Sequence, residues 1–277
     1  MGYIWRRKGQ WQLSLKYLQE AIDLDPRNIS LLTAQADVYW ELNHYSVALK
    51  GYDRILEISP DNPAALASKA GIYQAKGDLP AAATLVSRIH PDPSSDLFGV
   101  QIQQWMYERR YAEAINVLEN AIAGRGRPLS DWQRIRYLSS LARLQQFSGD
   151  MVHARQTWQQ VKTDAEKLRA TKGEQFALRQ IVEANAALGD KTKALAILEH
   201  SRVLPANDSF QAVFSAEMKS IIAVQAGDKD LALEQLAMSE RNPVEIDYGD
   251  LKFNPLWDPL RSDPRFEKIV VASLAPK

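Results

Sequence analysis

Apolar and polar positions alternate with a helical period along nearly the whole chain. Leu13, Leu15, Leu18 and Ile22 form one apolar stripe at helical spacing, with polar residues between them. Such stripes come in pairs, and the pairs recur. A small residue stands in the second segment of each pair, at Ser14, Ala48, Ala82, Ala114, Ala154, Ala194 and Ala232, with spacings of 34, 34, 32, 40, 40 and 38. A turn residue precedes each one by five positions: Gly9, Asn43, Gly77, Arg109, Gly149, Gly189 and Gly227. A large side chain follows each by four: Leu18, Tyr52, Val86, Leu118, Trp158, Leu198 and Leu236. A third position, seven after the small residue, holds Ala21, Ile55, Ile89, Ala121, Val161, Ser201 and Ser239. The pattern predicts seven helix–turn–helix units. Small residues at the crossings admit a close backbone approach, and the bulky residue one turn on fills the groove beside it.

The second unit carries the fullest set of such positions: Leu32, Gln35, Ala36 and Tyr39, then Asn43, then Tyr45, Ala48 and Tyr52, closed by Pro60. The first repeats it with Gly2, Trp5, Gly9, Trp11, Ser14, Leu18, Ala21 and Pro26. Ala70-Tyr73-Gly77-Ala82 and Trp105-Tyr111-Ala114-Leu118-Ala121 continue the series. With these residues the chain resembles the tetratricopeptide (TPR) repeats, helix–turn–helix units of about 34 residues. The resemblance covers residues 1–241, closely to about 123 and loosely beyond. It implies an all-α, right-handed superhelical solenoid. Residues 1–123 form four well-matched units, 124–131 a joint loop, 132–241 three degenerate units, and 242–277 a C-terminal segment with a capping helix. Asp25-Pro26 and Ser59-Pro60 are expected to end helices. Ser130 with Gln133 reads as a capping box, and a long helix from about Ala154 to Arg169 accounts for one wide spacing.

The two ends differ from the repeats. Phe253 to Phe266 contains Asn254-Pro255, Asp258-Pro259 and Asp263-Pro264, each a helix-start device of cap plus first-turn proline. The last helix is expected to turn Phe266, Ile269, Val270 and Leu274 toward the final repeat, as solenoid caps require. This tail resembles those of TPR arrays in bacterial multidomain signalling proteins, in which a kinase-like, winged-helix or cyclase/TolB-like module lies upstream. At the other end Met1 enters the repeat register part-way along a helix, so an earlier segment or upstream domain is expected. Residues 1 to about 8 should fray for want of a cap, while Trp5 and Trp11 pack between the first helices.

Composition narrows the chemistry. Lys+Arg and Asp+Glu both number 34, which argues against a nucleic-acid binder. Cysteine is absent, removing disulfides, thiolate metal sites and cysteine nucleophiles, and suiting a reducing cytoplasm. No apolar run approaches the length of a membrane span, and no secretory leader stands at Met1. His44, His90, His153 and His200 have no metal-ligand spacing, and no phosphate-binding or nucleophile-elbow motif occurs. No cofactor, metal or catalytic residue is therefore expected.

A binding role fits better. First helices of such solenoids line an extended concave surface. Carrying the repeat register forward places Tyr3, Arg6, Arg7, Thr33, Asp37, Trp40, Glu41, Gln103, Tyr107, Arg143, Gln146, Arg179 and Glu183 there. Trp40 and Tyr107 are candidate anchors for an apolar or peptide ligand, and Arg143 and Arg179 for carboxylates. The Lys/Asn clamp with which some TPR domains hold acidic chaperone tails is replaced by Thr33, Asp37 and Ser68. The expectation is a non-catalytic scaffold for a protein or peptide partner in a bacterial, cytoplasmic signalling setting. The alternative is the C-terminal regulatory domain of a kinase-like or cyclase-like protein.

Overall fold

The computed structural model of the chain describes residues 2–89, 95, 97–124, 128–172, 177–200, 209–239 and 246–274, without the side chains of 2, 3, 209–213 and 239. Among them are seven antiparallel helix pairs: α1 Gly2–Arg7 with α2 Trp11–Leu24, α3 Ile29–Glu41 with α4 Tyr45–Ile58, α5 Pro63–Ala75 with α6 Leu79–Ile89, α7 Phe98–Tyr107 with α8 Tyr111–Ile122, α9 Asp131–Phe147 with α10 Met151–Lys172, α11 Leu178–Ala187 with α12 Lys191–His200, and α13 Ser209–Gln225 with α14 Lys229–Ser239. A short α15 Tyr248–Phe253, a 3-10 helix Pro255–Leu260 and α16 Pro264–Ala272 follow. No strand occurs among the described residues. The fold is an all-α solenoid.

Local chemistry accounts for the boundaries. All seven small crossing residues and all seven bulky residues four positions on are buried. At the third position Ile55, Ala121 and Val161 are buried, Ala21 and Ile89 half-buried, and Ser201 and the Ser239 side chain lie outside the described residues. All seven turn residues adopt positive φ, from 58° at Asn43 to 94° at Gly189. Arg109, at φ 61°, does so against its side chain's preference. Ser130 Oγ accepts the Gln133 amide at 3.3 Å while Gln133 Oε1 accepts the Ser130 amide at 3.0 Å, a complete capping box. Of the expected joint loop, residues 125–127 lie outside the described residues. Apolar clusters run along the stack. Ile122 and Ile197 each touch two neighbouring clusters, so burial is continuous from the fourth pair to the seventh. Trp11 packs against Leu18, Ala34 and Val38 as expected, and both Trp5 and Trp11 are half-buried.

The C-terminal segment does more than cap. Its 3-10 helix and α16 cover α13 and α14, burying Trp257, Leu260, Phe266, Ile269 and Val270. Leu274, expected on that face, is 58% exposed because α16 ends at Ala272. Asn254 and Asp263 cap helices that begin with proline, but Asp258-Pro259 lies inside the 3-10 helix and starts nothing. Meanwhile α15 leaves the seventh pair and packs on α5 of the third. There Gly249 meets the Gln74 carbonyl so closely that a Cβ would lie 1.7 Å from its oxygen. Tyr107 Oη donates to Asp250 Oδ1 at 3.1 Å, and Arg109 pairs with Asp258 at 2.8 Å. Asp250 also accepts from Asn254 Nδ2 and Trp257 Nε1, both at 2.8 Å. The segment thus closes the solenoid across its concave side, as a clasp.

This closure half-buries two carboxylates, Asp247 and Asp250. Burial, and then the neighbouring Asp250 charge, push the Asp247 carboxyl up to about 7, against the pull of two backbone amides. Asp250 is raised by burial too, although Trp257, Asn254 and Tyr107 donate to it. Burial and the Asp247 charge raise Tyr45, at the start of α4, as well.

Two outcomes follow from this packing. Trp158→Ala, at 1% exposure, should lower the unfolding free energy in urea by about 3–5 kcal/mol. Met151→Ala, at 59% exposure, should change it by less than about 0.5 kcal/mol. The folded clasp also binds a proton on Asp247 that the unfolded chain releases near its ordinary value of 3.8, so stability falls as pH rises toward 7. The thermal midpoint should therefore be higher at pH 5 than at pH 8, and Asp247→Asn should flatten that slope.

Candidate functional site

Between the first helices and the clasp lies a chamber of about 1110 Å³. Its solenoid wall comes from α3, α5, α7, α9, α11 and α13 and the residues just before α7 and α11, as the repeat register implies for a concave surface. Ile246, Asp247, Asp250, Asn254, Leu256 and Trp257 of the clasp line the side opposite. Trp40 lies over Gly71, where a Cβ would come within 2.7 Å of the indole, so the missing side chain makes room for the ring. Met106, Trp132, Tyr137 and Phe214 add further apolar surface.

Charge is concentrated on three adjacent first helices. Arg179 on α11 grips Glu217 of α13 with both terminal nitrogens, at 2.6 and 3.2 Å, and donates through Nε to Glu183 at 2.9 Å. The Glu217 charge raises the Arg179 guanidinium despite its burial, with Glu183 adding to the effect. Burial alone would raise Glu183, but the Arg143 and Arg179 charges hold it below its ordinary value. Arg143, on α9, approaches Glu183 only to 3.9 Å. Its Nε donates to the Ser139 carbonyl of its own helix at 3.3 Å. Its two terminal nitrogens make no hydrogen bond among the described residues, and its side chain is 31% exposed on the chamber wall. Arg136 lines the same wall two turns earlier.

Of the candidate residues read from the sequence, Trp40, Gln103, Tyr107, Arg143 and Arg179 are brought together on this one chamber. Tyr107 is no exposed anchor. It is 3% exposed, lies beside the Phe253 ring at 6.3 Å between centroids, and holds Asp250 while accepting from Gln103 at 2.8 Å. Arg179 is likewise engaged by carboxylates of the chain itself. Asp37 lies off the chamber and accepts from Tyr52 Oη, and Arg6 and Glu41 pair with each other between α1 and α3. Arg7 is exposed but takes no part in the lining, and the Tyr3 side chain lies outside the described residues. Glu183 is 1% exposed instead of facing out. The sequence reading missed Gln74, Met106, Trp132, Arg136, Phe214 and Glu217. Extending the same register along α5, α7, α9 and α13 finds most of them. It does not find Asp247 or Asp250, which come from outside the repeats.

The comparisons agree with this architecture. Residues 33–96 match the family model described as tetratricopeptide repeat. A solved tetratricopeptide repeat protein from Parabacteroides merdae ATCC 43184 is similar over 99% of this chain and 96% of its own, at 13% identity and a TM-score of 0.53. A chain of the APC/C hetero-tetramer Cut9-Hcn1 is similar over 97% of this chain and 46% of its own, at 15% identity and a TM-score of 0.51. No curated protein matches in sequence. With seven in-register helix pairs, their turn residues all left-handed, and a family match over residues 33–96, the chain has the fold of a tetratricopeptide repeat solenoid.

Proposed function

We propose that the chain is a non-catalytic scaffold for protein–protein interaction, holding a peptide or helical segment of its partner in the concave chamber. The observation that carries this reading is the Arg143 guanidinium. It stands on an aromatic-lined wall with its terminal nitrogens unbonded among the described residues, ready for a carboxylate. Trp40 and Trp132 supply the flat apolar surface that anchors a side chain beside such a contact. Arg179, locked by Glu217 and Glu183, shapes the wall and holds its neighbours in place. The chamber carboxylates are engaged within the chain itself, Glu217 by Arg179, Asp250 by Tyr107 and Trp257, and Asp247 by the Asp250 amide. A place in bacterial cytoplasmic signalling, as an adaptor or as the regulatory arm of a larger chain, is supported by the resemblance of residues 253–266 to the tails of such arrays.

Affinity capture of partners, quantified for wild type and for folded Trp40→Ala and Arg143→Ala variants, tests the reading. Loss of a charged hydrogen bond should weaken capture by roughly 10- to 100-fold for Arg143→Ala, and Trp40→Ala should weaken it comparably. Undiminished capture of every partner by both variants would refute it.

A further inference from the structure

The part of the concave surface beneath α15 differs from the open chamber in already holding an occupant. Three features there select one kind of segment. The Gln74 carbonyl at the end of α5 admits only a residue without a side chain, since any Cβ at position 249 would meet the oxygen at 1.7 Å and the carbonyl carbon at 2.8 Å. The Tyr107 hydroxyl, buried and fed by Gln103, presents its proton to a carboxylate one position later, at Asp250. Asp247, two positions before the glycine, caps the short helix by accepting the Asp250 amide at 2.7 Å and so fixes the turn that delivers both contacts.

The hold is lopsided. Leu251 and Trp257 bury themselves on the seventh-pair side, in the cluster under α13 and α14. Toward the third and fourth pairs the clasp is fastened by the glycine contact, by the Tyr248 and Phe253 rings over Gly77 and Tyr107, and by two polar contacts, the Tyr107–Asp250 bond and the half-exposed Arg109–Asp258 pair. Bringing carboxylates into such a place costs desolvation energy that an apolar plug would avoid. What they contribute is recognition of one sequence order.

We propose that the surface formed by Gln74, Gly77 and Tyr107 is a docking site for a short helix of the order Asp-x-Gly-Asp, that Asp247-Tyr248-Gly249-Asp250 is its occupant in cis, and that a partner segment of the same order docks there by displacing it. The inference rests on the scaffold reading and adds to it both a partner chemistry and a gate. A tethered occupant competes at the high effective concentration that its connection to the chain confers. The apparent affinity for a segment in trans is then reduced by the fraction of molecules in which the clasp is open.

The test uses the full chain and a labelled synthetic peptide with the sequence of residues 246–258. Binding is followed by fluorescence anisotropy to wild type, to Gly249→Leu, whose side chain cannot fit over Gln74, and to Asp250→Ala, which leaves the groove intact should the leucine variant misfold. Circular dichroism verifies that each variant keeps its helices. The peptide should bind at least one folded opened variant roughly tenfold or more tighter than wild type, and a peptide with leucine at its own glycine should bind none. Equal binding to wild type and opened variants, or no binding to any folded variant, would overturn the proposal. Neither result bears on partner capture through Trp40 and Arg143, so the scaffold reading stands or falls separately.

Discussion

Every helix pair in this chain buries one face on its partner and leaves the other for a neighbour, and the close approach at each crossing depends on one small side chain. Ser14, Ala48, Ala82, Ala114, Ala154, Ala194 and Ala232 are all buried, each followed one turn later by a large residue that fills the space it leaves. A larger group at the crossing would hold the two helices apart and uncover the next pair's contact surface as well. Because each pair is stabilised by the next, this constraint recurs along the stack and sets its continuous inner wall of first helices. The left-handed residue in each turn serves the same end by reversing the chain within a few positions.

A stack of this kind has two ends and an open concave side, and here one end is used to close the side. The 3-10 helix and α16 supply the apolar cover that the last pair needs. The residues before them travel back to the third and fourth pairs. Arg261 makes this geometry self-supporting: it donates to the carbonyls of Leu251 and Asn254 at 3.1 Å each and to Asp258 at 2.7 Å, while its guanidinium stands over Phe266. The clasp therefore presents Asp250 from a preformed platform, and the chamber is the space left between that platform and the wall.

The repeat architecture was legible because it rests on contacts between residues close in sequence. A turn residue and the small residue after it belong to one helical hairpin, so their spacing survives as a period, and even Asn43 and Arg109 were identifiable by position although neither is glycine. The chamber was half legible. Trp40, Gln103, Arg143 and Arg179 follow from the register of the first helices. The fate of Tyr107 does not, since the group that buries it lies 143 residues further on. Nor does the register reveal that the partners of Arg179 are carboxylates of the chain itself. The tail was read correctly as a set of caps at Asn254 and Asp263 and wrongly at Asp258 and Leu274. Asn-Pro and Asp-Pro encode local turns and carry no information about where the segment between them is taken.

The closed solenoid is the central claim, and a distance across the closure tests it most directly. The chain has no cysteine, so Lys76→Cys beside the third turn and Lys252→Cys on α15, both exposed, can carry a pair of spin labels without other changes. With the clasp seated on Gln74 and Gly77, pulsed electron–electron resonance should give one narrow, short distance. A broad distribution at long distance would mean that the C-terminal segment stays beside the seventh pair, leaving the concave side open.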